Sequence, residues 1–177
     1  MCAHRGGRGS EVSLYLLKAG DVLLLTQLTR VYERCFDLEQ APERPAAELE
    51  NLLTAQCGFL VAIADGQVVG GLTFYRLPMI RGGEELYLYD LGVDPAWRRR
   101  SIATRLLEEL RAFAQTEGCQ CVYVQAEAED EQAVAFYRSL NWEEGPVCSF
   151  SAPGFSREGV RQNDPAGYHG AAAPGRR

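Results

Sequence analysis

The spacing of apolar positions changes repeatedly along the chain, and each change marks a new element. Val12 to Lys18 carries the two-residue alternation of a half-buried strand. Gly20-Asp21 interrupts it and places Asp21 as a helix N-cap, after which Leu24, Leu28, Val31 and Tyr32 recur on one helical face. Asp37 to Pro45 reads as a loop and Ala46 to Ala55 as a short helix. Phe59 to Ala64 and Val68 to Leu77 are strand-like runs joined by Asp65-Gly66, a strong two-residue hairpin signal. A second turn over Arg81 to Glu84 leads into the run LYLYDLGV, Leu86 to Val93.

Asp94-Pro95 stops that run. A long helix is predicted from about Arg100 to Glu117, with Ile102, Leu106, Leu110 and Phe113 on one face and Gly118 in the C′ position. Cys121 to Ala126 reads as a strand, followed by an acidic loop and a helix over Asp130 to Leu140. Asn141 to Phe150 has the composition of a bent terminal hairpin around Gly145-Pro146. A strand, a helix and a strand in succession imply a right-handed crossover, so Leu86–Val93 and Cys121–Ala126 should run parallel in a mixed α/β fold. Residues 11–151 form the expected single domain; residues 1–10 and 152–177 are rich in Gly, Ala and polar residues without periodicity and read as flexible ends.

Composition narrows the function. The chain has 177 residues, 46% of them apolar, enough for one well-filled core. No apolar run approaches the roughly 20 residues that span a bilayer, and the N-terminus lacks the apolar core of a signal peptide. A cytoplasmic protein with no membrane partner is expected. The net charge of −6 disfavours nucleic acid and suits either plain solubility or the collection of cationic small molecules. Six cysteines show no CxxC spacing, so reduced thiols and no metal site are expected. Both histidines, His4 and His169, lie in the end segments, leaving a Ser-His-Asp or Cys-His hydrolase without a base.

The informative stretch is YDLGVDPAWRRRSIATRLLEEL. A strand ending at Val93 and a helix beginning near Arg100 leave orphan N–H groups and the positive end of a dipole at the turn, where Arg98, Arg99 and Arg100 add charge. This is an anion site in outline; three arginines solvating a helix start is the plainer reading. Arg98-Arg99-Arg100-Ser101-Ile102-Ala103 resembles the Arg/Gln-x-x-Gly-x-Gly/Ala turn of the GNAT N-acetyltransferases, with Ser101 in place of the first glycine. Downstream, DEQAVAFYRSLNW resembles their second motif, Asn/Asp-x-x-Ala-x-x-Phe-Tyr before Leu-Gly-Phe, with Asn141 in place of the glycine. YDLGV, RR-x-x-IAT and YVQA before an acidic loop and AVAFY together resemble the aminoglycoside 3-N-acetyltransferases.

The resemblance implies a mostly antiparallel mixed sheet whose two parallel strands splay around acetyl-CoA, flanked by about four helices. It implies acetyl transfer to an amine of a polycationic substrate, an aminoglycoside at its 3-N position, and allows a homodimer. Leu91, Gly92 and Val93 would hold the pantetheine, and Arg98, Arg99, Arg100, Ser101, Ile102, Ala103 and Thr104 the pyrophosphate. Tyr137 matches the tyrosine that protonates the departing sulfur, although core packing would also account for it. Asp90 interrupts an apolar strand, where a charge is costly unless paired or used. It is expected either to orient and deprotonate the amine or to form a salt bridge with an arginine of the next helix. Glu127, Glu129 and Asp130 are expected to attract the cation, or else to solvate a loop. Another amine (a polyamine, an amino-sugar metabolite or a protein N-terminus) would use the same machinery, and a non-catalytic CoA-binding module remains open.

Overall fold

The computed structural model describes residues 11–40 and 42–146. The two expected flexible ends and residues 147–150 of the expected terminal hairpin lie outside the described residues.

Strands β1 (Ser13–Leu16), β2 (Cys57–Ala64), β3 (Gln67–Pro78), β4 (Glu84–Val93) and β5 (Val122–Val124) form one sheet in chain order. The first four pair antiparallel; β4 and β5 pair parallel, as the crossover through helix α3 (Ile102–Thr116) requires. The β2–β3 turn has positive φ at both Asp65 (51°) and Gly66 (76°), the backbone that an Asp-Gly hairpin favours. Helices α1 (Val22–Cys35) and α2 (Ala46–Leu53) cover one sheet face through Leu25, Leu28, Val31 and Leu49. The other face packs on α3, where Ile102, Leu106, Leu107 and Leu110 meet Leu72, Phe74, Leu86 and Leu88. Helix α4 (Glu131–Ser139) adds Phe136 and Tyr137 to this second core.

Several boundaries differ from the expectation. Helix α3 begins at Ile102 rather than near Arg100, because a 3-10 turn at Pro95–Trp97 and left-handed backbone at Arg99 (φ 62°) and Ser101 (φ 57°) fill the gap. Strand β5 has three residues, shorter than Cys121 to Ala126. Asp21 occupies the N-cap position of α1 but makes no capping bond; its carboxylate accepts from the Lys18 N–H at 2.8 Å. Of the expected terminal hairpin, the described part contains no strand. Asn141 ends α4 with φ 56°, which suits its place where the family motif carries glycine.

One irregularity decides the geometry of the site. Thr73 of β3 pairs with Asp90 and Phe74 pairs with Leu88, so Tyr89 is an extra residue in β4, a β-bulge. Before the bulge, Leu86 and Leu88 face the α3 core; beyond it, Leu91 and Val93 do. Asp90 and Gly92 are thereby turned to the opposite face, under α1. A Cβ on Gly92 would stand 3.1 Å from the Tyr32 ring and 3.2 Å from the Cys35 sulfur, so glycine lets α1 settle closely on this strand.

Candidate active site

Strands β4 and β5 are paired only from Leu86–Val122 to Leu88–Val124. Beyond that point β4 continues to Val93, while the chain leaves β5 into the acidic loop. The backbone edge of Tyr89 to Val93 that faces β5 therefore has no partner in that strand, and the two strands part there.

The turn after β4 lies at the end of this unpaired edge. Asp94 is its anchor: its carboxylate accepts from the Ala96 N–H at 3.0 Å and pairs with Arg34 of α1 at 2.8 Å. Arg98 Nε donates to the Val93 carbonyl at 3.2 Å, and the Arg100 guanidinium lies 4.6 Å over the Trp97 ring. Arg98, Arg99 and Arg100 are all exposed. The Ser101 side chain makes no capping bond to α3, whose first backbone bond joins the Arg105 N–H to the Ser101 carbonyl. The N–H groups of Ile102, Ala103 and Thr104 are thus the orphan donors of a helix start, ringed by arginine. Left-handed residues in such a turn form a concavity of backbone donors suited to an anion. This donor set fits a pyrophosphate, and Ser101 is the point of friction, because its left-handed backbone strains any residue with a Cβ.

Asp90 sits on the α1 face at the bulge. Thr73 is its cross-strand partner, and the Thr73 hydroxyl favours the ionised carboxylate. The Thr73 Oγ1 and the Tyr32 hydroxyl share a 3.0 Å hydrogen bond. Tyr32, Thr73 and Asp90 thus form one polar cluster under α1. Thr73 is only 5% exposed, and the Tyr32 phenol is pushed well above its ordinary range by burial, with the Asp90 charge adding to the effect. Burial raises Asp90 itself from 3.8 to about 6, against the stabilising bond from Thr73. Among the described residues no arginine pairs with it, so the expected salt bridge is absent.

Tyr137 belongs to the α3-side core, with ring centroids 5.4 Å from Phe136 and 5.7 Å from Trp142. Burial pushes its phenol up to about 12, and the charge of Asp130 adds to this. Asp130 is committed to α4, accepting from the Ala133 N–H at 2.9 Å as N-cap. Glu127 and Glu129 are exposed beside it. Thr73 and Tyr32 are not among the site residues expected from the sequence: Tyr32 reads as part of the apolar face of α1 and Thr73 as a strand residue, until the register brings them beside Asp90. Among the described residues no three His, Cys, Asp or Glu converge as metal ligands, and no helix is long and apolar enough to cross a membrane.

The unpaired edge of β4 and the arginine-ringed start of α3 suit an extended ligand with an anionic end. The chain is a member of the acetyltransferase (GNAT) family, whose model matches residues 25–142. Members of that family use acetyl-CoA. The chain is 31% identical to N-alpha-acetyltransferase RimI of Mycobacterium tuberculosis over 136 residues, 73% of this chain and 75% of the relative. Two solved structures from uncultured soil metagenomic samples are similar. The aminoglycoside acetyltransferase HMB0005 is 31% identical, with a TM-score of 0.77 over 82% of this chain and 99% of that one. The aminoglycoside acetyltransferase meta-AAC0020, solved in complex with sisomicin, is 29% identical, with a TM-score of 0.74 over 81% of this chain and 97% of that one.

Proposed function

We propose that this acetyltransferase moves the acetyl group of acetyl-CoA to an amino group of an aminoglycoside, at the 3-N position by the motif resemblance. The observation that carries the reading is Asp90, a half-buried carboxylate at the bulge with no ionic partner among the described residues, in a chain similar to aminoglycoside acetyltransferases.

Acetyl-CoA supplies the acetyl group as a thioester. In this reading the N–H groups opening α3 and the arginines Arg98 to Arg100 hold the pyrophosphate, with Ser101 lining the turn. The free edge of Leu91, Gly92 and Val93 holds the pantetheine and offers an N–H to the thioester carbonyl. Asp90 receives the proton of the attacking amine, directly or through water. Its pKa of about 6 suits that task. Against an ammonium near 8, the uphill transfer shrinks from about 6 kcal/mol for an ordinary aspartate to about 3 kcal/mol. Thr73 and Tyr32 fix the orientation of the carboxylate.

Tyr137 donates to the departing sulfur. With its phenol at about 12, it stays protonated at neutral pH. Full transfer to a thiolate near 8.5 would be uphill by about 5 kcal/mol, so its contribution is a hydrogen bond that strengthens as charge builds on sulfur. Glu127 and Glu129 draw the polycation towards the site.

The RimI relative favours a second reading, acetylation of a protein N-terminus by the same residues. The deciding experiment follows free CoA thiol from the purified full chain with acetyl-CoA and, in parallel, gentamicin, spermidine or an alanine-initiated peptide. Release with gentamicin is the expected result. Release with the peptide alone replaces this reading with the second, and silence throughout leaves a CoA-binding module.

A further inference from the structure

The sheet face that carries Asp90 is covered by α1 and α2 mainly over β2 and β3. Towards β5 it carries a row of tyrosines instead. Tyr75 meets Tyr89 edge-on with centroids 5.5 Å apart, Tyr89 meets Tyr87 edge-on at 6.0 Å, and Tyr87 stacks on Tyr123 at 4.9 Å. The row crosses β3, β4 and β5. It is held in place by its own ring contacts and by the Tyr87 hydroxyl, which donates to Gln125 Oε1 at 3.1 Å. Tyr75, Tyr89 and Tyr123 are 38%, 44% and 36% exposed. Large aromatic rings lined up in contact, three of them more than a third exposed, form a surface suited to a ring-bearing ligand.

The charges around the row say what fits it. Asp90 follows Tyr89 directly at one end, and Glu85 lies beside Tyr123 and Cys121 at the other. Arg76, although adjacent to Tyr75 in sequence, points to the opposite face, where it pairs with Glu84 and Glu117 and lies over the Phe113 ring. Among the described residues the row is therefore aromatic and anionic. A second copy of the chain laid face to face would bring like carboxylates together, which opposes that occupant. Ammonium groups are drawn to the negative faces of aromatic rings, and the C–H faces of sugar rings lie flat on them.

We propose that the row Tyr75, Tyr89, Tyr87 and Tyr123 is the floor of the acceptor site, taking the cationic amino-sugar rings beyond the amine presented to Asp90. This rests on the proposed function and names the residues that recognise the acceptor. The row extends from the bulge along β4 and across to β5, so an acceptor of several rings would lie across the strands.

The test is calorimetric titration of gentamicin into the full chain saturated with CoA, beside acetyl transfer measured on the same preparations. Tyr89→Leu and Tyr123→Leu are each expected to weaken gentamicin binding about tenfold, the scale of a partly desolvated cation–π contact. Tyr123→Phe, which keeps the ring, should stay within about threefold of the parent, and CoA affinity should be unchanged in all three. Tight gentamicin binding that the leucine variants leave intact overturns the proposal, and a simultaneous shift of those variants from dimer to monomer in sedimentation assigns the row to an interface. Absence of gentamicin binding to the parent also overturns it. Binding that depends on the rings, but without acetyl transfer, supports the floor and overturns the proposed function instead. Transfer unaffected by the leucine variants does the reverse.

Discussion

Replacing Asp90 with asparagine should separate activity from stability. The wild-type carboxylate is raised from 3.8 to about 6 by burial. A raised folded-state pKa means that the native protein holds an extra proton between those two values. Stability then falls as pH rises from about 4 to about 6, and the cost of the ionised, half-buried carboxylate stays constant above that window. The difference corresponds to about 3 kcal/mol, which partial contact with solvent lowers to about 2 kcal/mol. Asparagine keeps the shape and the acceptor for Thr73 and never ionises. Asp90→Asn should therefore match the wild type near pH 4 and exceed it by about 2 kcal/mol at pH 7.5, or about 6 °C in Tm for a domain of this size. Urea unfolding between pH 4 and 8 measures the difference directly. Acetyl transfer should fall by at least about a hundredfold at neutral pH, the usual scale for loss of a general base. The wild-type rate should rise with pH through a limb near 6. Stability curves of the two proteins that run parallel from pH 4 to 8, or a variant less stable at pH 7.5, would refute the assignment of Asp90 as a desolvated charge without an ionic partner.

Two further substitutions test the other half of the site. Tyr137→Phe should lower kcat by about ten- to a hundredfold while leaving the Kd for acetyl-CoA within about twofold, since only a transition-state hydrogen bond is removed; unchanged turnover under stopped conditions would eliminate Tyr137 as the donor to sulfur. Ser101→Gly should relieve the left-handed strain of about 1–2 kcal/mol, less about 0.5–1 kcal/mol for the added freedom of glycine when unfolded. A gain of about 1 kcal/mol in stability and tighter CoA binding by titration are expected, and weaker CoA binding would show instead that the Ser101 hydroxyl is a phosphate ligand.

Elements whose signals are local were legible in the sequence. Asp65-Gly66 specified its hairpin, the Ile102, Leu106 and Leu110 spacing specified the buried face of α3, and Asn141 marked a left-handed helix end. The parallel pairing of β4 and β5 followed from chirality alone. What the sequence concealed depends on registers between distant segments. LYLYDLGV reads as an uninterrupted alternation that would set Asp90 on the face of Leu86 and Leu88; the bulge at Tyr89 moves it to the other face. Thr73 and Tyr32 are 41 residues apart, and nothing local announces that their hydroxyls meet. The four tyrosines read as ordinary strand residues because each strand contributes only one or two of them. The acidic loop held a mixed outcome, with Asp130 spent on capping α4 while Glu127 and Glu129 face solvent.

The bulge also changes what kind of information β4 carries. In a regular strand, chemistry is specified by which residue occupies which position, and a shift of the whole strand by two residues would preserve its faces. Here the count of residues between Leu88 and Leu91 is itself part of the instruction. One residue fewer would close the bulge, and Asp90, following Leu88 directly, would hold the same α1 face in plain alternation, with Leu91 still beneath α3. What the extra residue adds is the local bend and stronger twist of a bulge, placed where β4 loses its pairing with β5. Substitutions there tune the site, whereas a deletion would straighten the strand that shapes it.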